Sequence, residues 1–125
     1  MPKLSLGKAP KTFTSVVRFP MLDGTEGVVD CTFKYRTITE YGSFVDGLRA
    51  QAGATAADAN LSLEQILQRT RDKNGQYLLQ ILEAWNLDVE LSTETAQQLC
   101  DEFPGANGAI IDAYRAAIVE GRRGN

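Results

Sequence analysis

Between Val28 and Leu48 the hydrophobic period of this chain switches from that of a strand to that of a helix. That switch limits the fold more than any other feature. VVDCTFKY (28–35) alternates: Val29, Cys31, Phe33 and Tyr35 point one way, while Asp30, Thr32, Lys34 and Arg36 point the other. It reads as a half-buried strand. TFTSVVRF (12–19) before it is β-branched and aromatic, with Phe13, Val17 and Phe19 available for burial. PMLDGTEG (20–27) joins the two through Pro20 and an Asp23-Gly24 turn signal. The spacing therefore predicts an antiparallel β-hairpin over 12–36. A lone hairpin is marginal in water, so helices must cover its apolar face or another chain must pair with it.

From there the period is helical. Tyr41, Phe44, Val45 and Leu48 form one stripe of a helix over 38–52, and Thr37 with Glu40 permits a capping box. AGATAADAN (52–60) reads as a flexible connection. Ser62 can cap a helix that turns Leu63, Ile66 and Leu67 inward, and DKNG (72–75) suggests a break. YLLQILEAW (77–85) resumes as a strongly apolar helix central to the core. Ser92 starts a further helix with Ala96, Leu99, Cys100 and Phe103 on its inner side. Pro104-Gly105 breaks it, and a last helix over 106–120 buries Ile110, Ile111, Tyr114 and Ile118. The expected architecture is one mostly helical α+β domain over 1–125. It consists of a loose leader (1–11), the N-terminal antiparallel β-hairpin (12–36) and a helical region (37–121) of four to five helices.

The residue inventory narrows the chemistry. The chain has no histidine, which removes the commonest general base and metal ligand, and with it serine–histidine and cysteine–histidine catalysis. Its two cysteines, Cys31 and Cys100, are too few for a structural zinc site on their own and are expected to be buried reduced thiols. The glycines of LDGTEGVV make no phosphate loop. Adjacent Asp101 and Glu102 would diverge by about 100° on a helix rather than converge as an acid/base pair. The expectation is no enzyme, no metal and no cofactor. No apolar run is long enough for a membrane span, and the N-terminus lacks a signal-peptide core, which points to the cytoplasm.

Charge is unevenly spread. Residues 1–36 hold six bases and three acids, whereas 74–114 hold seven acids (Glu83, Asp88, Glu90, Glu94, Asp101, Glu102 and Asp112) and no Lys or Arg. Such a stretch either solvates a face or attracts a basic partner. It disfavours phosphate backbones, and the helix after the Phe103-Pro104-Gly105-Ala106 corner lacks the bases that a DNA-recognition helix needs. Trp85 reads as a core anchor or as a binding hot spot, and Phe103 as an inward-packed corner residue or a contact.

ILEAWNLD (81–88), a Ser92-started helix ending LCDEFPGA (99–106), and IIDAY (110–114) together resemble the tail assembly chaperones of long-tailed bacteriophages. Many relatives carry glycine where this chain has Ala84. The resemblance implies a non-catalytic protein of the bacterial host cytoplasm, encoded by a phage or prophage. Such a protein binds the tape measure protein, helps recruit the major tail subunit, and is not retained in the virion. Self-association is expected from the fold itself, through pairing of exposed hairpin edges or helix faces. Candidate partner-binding residues are Trp85, Glu94, Asp101, Glu102, Phe103 and Tyr114, with no nucleic acid and no membrane involved. The alternative reading is a structural tail or head–tail connector subunit.

Overall fold

A computed structural model of the chain describes residues 6–7, 9–51, 62, 65–66 and 71–121. The hairpin forms as the alternation requires. Strand β1 (Thr12–Pro20) pairs antiparallel with β2 (Glu26–Lys34) along its whole length, from Thr12 opposite Lys34 to Pro20 opposite Glu26. In the turn, Met21 N–H donates to the Thr25 carbonyl at 2.9 Å and the Asp23 carboxylate accepts from Thr25 N–H at 3.0 Å. Gly24 takes φ 85°, a left-handed value that glycine adopts without steric cost. Phe13, Val17, Val29, Cys31 and Phe33 face the core, whereas Tyr35 is 38% exposed.

Helix α1 (Ile38–Gln51) starts from the Thr37–Glu40 capping box. Thr37 N–H donates to Glu40 Oε1 at 2.8 Å, and Glu40 N–H to Thr37 Oγ1 at 3.1 Å. Ser62 and Gln65 make the same reciprocal pair ahead of the buried Ile66. The connection expected over 52–60, together with Leu63 and Leu67, lies outside the described residues. The break expected near 72–75 is a single 3-10 turn (Arg71–Lys73) that passes directly into helix α2 (Asn74–Ile81).

The helix expected through Trp85 stops at Ile81 instead. Leu82 is extended (φ −103°, ψ 134°) and opens a third strand, β3 (Leu82–Trp85), antiparallel to β2. Leu82 lies opposite Phe33 and Trp85 opposite Cys31, with an irregularity between Thr32 and Phe33. A helix there would leave the outer backbone groups of β2 without ladder partners, and the strand satisfies them. Asn86 extends that role: its side-chain oxygen accepts Asp30 N–H at 2.8 Å, just past the last paired residue. The sheet is thus three-stranded, in the order β1-β2-β3.

Helix α3 (Thr93–Glu102) begins with a capping box between Ser92 and Thr95, and Ala96, Leu99 and Cys100 are buried. Its close crossing with α2 depends on Gly75, where an added Cβ would come within 2.6 Å of the Gln97 backbone nitrogen. The last helix, α4 (Pro104–Glu120), starts two residues before the expected 106. Proline lacks the N–H that the first turn leaves unbonded, and its fixed φ already suits a helix. Gly121 closes α4 in the left-handed conformation at φ 69°.

Tyr114 on α4, 0% exposed, is the hub of the core. Its ring lies 5.3 Å from Phe33, 5.9 Å from Tyr41 and 6.2 Å from Phe13. Its hydroxyl donates to the Lys34 carbonyl at 2.9 Å and accepts from Arg36 Nη1 at 2.9 Å. Arg36 in turn lies 4.2 Å over the Phe44 ring. Strand, linker and first and last helices are therefore tied at one point. Among the described residues, no helix is long and apolar enough to cross a membrane.

Candidate protein-binding surface

Three of the expected contact residues, Asp101, Glu102 and Phe103, come together where α3 meets α4. The Pro104 start leaves Phe103 as the single residue between the helices. With φ −132° and ψ 73° its backbone leaves the helical region, which separates the two helices. Contrary to the expectation of inward packing, it is 37% exposed and meets Phe19 of β1 edge-on at 6.3 Å. The neighbouring backbone is close as well: the Cβ position of Gly105 lies 3.3 Å from the Pro20 carbonyl oxygen. The corner is thereby docked against the tip of the hairpin, far from it in sequence.

Acids rim this corner. All seven carboxylates of the 74–114 stretch are exposed, and none makes an ion pair among the described residues. On α3, Asp101 accepts from Gln97 Nε2 at 3.0 Å and Glu102 from Gln98 Nε2 at 2.8 Å. Glu94, two turns earlier, falls on the same outward face by helical spacing. Glutamine donors orient these carboxylates without neutralising them, so the face keeps its negative charge.

The other two candidates lie elsewhere. Trp85 is half-buried on β3, at the opposite side of the sheet from β1. Its indole Nε1–H donates to the Val89 carbonyl at 2.8 Å, closing the loop that carries Asp88, with Glu90 next after it. It packs against the core and also pins an acidic loop. Tyr114, fully enclosed, presents no surface to a partner in this conformation; its part is internal, as described above.

Sequence reading missed two residues that shape the surface. Phe19 supports Phe103, and Leu22, at the tip of the hairpin, is completely exposed at 107%. A leucine inside a Pro/Asp/Gly turn, where no core is within reach, is the signal that would have drawn attention to the tip. The thiols add no reactive group. Burial, reinforced by Asp30, pushes Cys31 up to about 12, and burial with Asp101 does the same for Cys100. Both are free.

A family model described as phage tail assembly chaperone matches residues 1–125. No curated protein and no solved structure gives a significant match.

Proposed function

We propose that this chain, which belongs to the phage tail assembly chaperone family, binds the tape measure protein in the host cytoplasm and is released before the virion is complete. One observation supports the reading above the rest: Phe103 stands partly exposed at the α3–α4 corner, and the acids beside it have no ion-pair partner among the described residues. An aromatic contact rimmed by uncompensated acids suits an amphipathic helix with apolar anchors and basic flanks. Tape measure proteins are long, helical and apolar-striped, and a chaperone must cover that stripe until tail subunits replace it. On this reading Glu94, Asp101 and Glu102 attract the client, Phe103 and Pro104 meet its apolar stripe, and Trp85 holds the sheet and the acidic loop in place. The major tail subunit is the second partner, recruited to the coated client.

Co-expression with the tape measure protein tests this. The chain is expected to co-purify with it and keep it soluble, and mass spectrometry of purified virions is expected to lack the chain. Stoichiometric retention in mature particles would instead identify a structural tail or connector subunit.

A further inference from the structure

The ladder of the hairpin fixes where each main-chain group of β1 points. Tyr35 N–H donates to the Lys11 carbonyl and Met21 N–H to the Thr25 carbonyl, both at 2.9 Å. In this register those two pairs, and every second pair between them, are the hydrogen-bonded ones. Phe13, Ser15, Val17 and Phe19 therefore turn their N–H and C=O groups toward β2. Thr12, Thr14, Val16 and Arg18 turn theirs the other way, and so does the Pro20 carbonyl. Since β1 is an edge of the sheet, these groups form a row along its free side.

The outward groups of β2, by contrast, are met. β3 pairs with that strand, Asn86 accepts Asp30 N–H, and the Lys34 carbonyl accepts from Tyr114. Among the described residues nothing bonds to the row on β1. Proteins usually shorten, bulge or guard such an edge with charge and proline. β1 runs nine residues without a bulge, and its guards within the strand, Arg18 and Pro20, sit together at one end. Phe19 does not cover the edge, because its ring lies over Gly27 of β2, on the opposite side.

Donors and acceptors that recur about every 6.8 Å, on alternate residues, match the backbone of an extended polypeptide rather than a small molecule. The row also ends at the α3–α4 corner, where the Pro20 carbonyl oxygen lies 3.3 Å from the Cβ position of Gly105 and Phe19 meets Phe103. A strand laid along β1 is thus continuous with the surface assigned to the client. We propose that an extended stretch of the client, about seven residues long, adds to the free edge of β1 as a fourth strand, next to the helix held at the corner. The fourth strand deepens the client-binding reading and rests on it for the partner's identity. Main-chain hydrogen bonds carry little sequence information, so one edge can accept different stretches of a long client.

Amide hydrogen exchange of the full chain, followed by NMR alone and in complex with co-expressed tape measure segments, tests this. In the free chain the amides of Thr14, Val16 and Arg18 are expected to exchange fast and those of Ser15 and Val17 slowly. Binding is expected to slow the first set by roughly tenfold or more. Thr14→Pro and Val16→Pro each remove one outward N–H, at positions where an edge strand tolerates proline. Each is expected to weaken segment binding by roughly tenfold while the Val29 and Cys31 amides stay slow. Proline variants that bind like the parent, or a bound segment that leaves Thr14, Val16 and Arg18 exchanging as before, would overturn the proposal. If a variant altered at Asp101, Glu102 and Phe103 still loses that segment, the client-binding reading survives without the strand. Slowing of the same amides as the chain alone is concentrated would make a second copy the occupant and overturn it too. A chain that binds no tape measure segment would remove the client-binding reading, and the fourth strand with it.

Discussion

The Tyr114 hydroxyl on the last helix donates to the main-chain carbonyl of Lys34, at 2.9 Å, where the second strand ends. With Arg36 Nη1 donating to the Tyr114 phenol oxygen, the ring links the sheet to the helices inside an aromatic cluster. Tyr114→Phe keeps the ring but strands the Lys34 carbonyl and an Arg36 donor, and should cost about 1–3 kcal/mol. Tyr114→Ala also opens a cavity and should cost about 3–5 kcal/mol. Denaturant unfolding measures both. A client affinity that falls for folded Tyr114→Phe would contradict the internal role given to this residue.

Gly75 should resist the usual benefit of alanine in a helix. Alanine is favoured over glycine by up to about 1 kcal/mol in helix interiors. Here the methyl group would press on the Gln97 main chain at 2.6 Å, and overpacking of that kind costs about 1–3 kcal/mol. The expected result for Gly75→Ala is a lower melting temperature; a higher one would show that the α2–α3 crossing is slack.

Both thiols should be inert in the folded protein. Values near 12 leave little thiolate at neutral or mildly alkaline pH, and burial adds a steric barrier. Alkylation of Cys31 and Cys100 is expected to follow global unfolding, with rates that rise in step with denaturant. Rapid labelling of either in the native state would contradict the packing described.

Acid should loosen the start of α1. Hydrogen bonds from Thr37 hold the Glu40 carboxyl below its ordinary range. A folded value below the unfolded one means the contribution is full above the ordinary glutamate range. It is lost as pH falls through the lowered folded value. The stability of the parent should therefore drop more steeply with acid than that of Glu40→Gln; parallel curves in a pH series of thermal melts would refute this.

The hairpin, the caps at Thr37 and Ser92 and the core stripe of α3 were legible because each rests on local chemistry: a two-residue alternation, an oxygen facing bare N–H groups, an apolar face. The segment after Ile81 was not. Tyr77, Leu78, Ile81, Leu82 and Trp85 also satisfy helical spacing, and only the unpaired edge of β2, nearly fifty residues away, draws Leu82–Trp85 into a strand. The corner was half legible. Asp101, Glu102 and Phe103 were identified together, but the direction of the Phe103 ring depends on Phe19 in another element, a contact that periodicity does not encode.

Affinity of the purified chain for tape measure segments, measured by titration calorimetry, bears most directly on the docking surface. The comparison is between the parent and a variant combining Phe103→Ser with Asp101→Lys and Glu102→Lys, which alters exposed side chains while leaving Tyr114 and its neighbours intact. A loss of tenfold or more in affinity, about 1.4 kcal/mol or greater, in a variant that still unfolds cooperatively well above the assay temperature is the expected result. Equal affinity in the two proteins would contradict the assignment of the α3–α4 corner as the client's docking site.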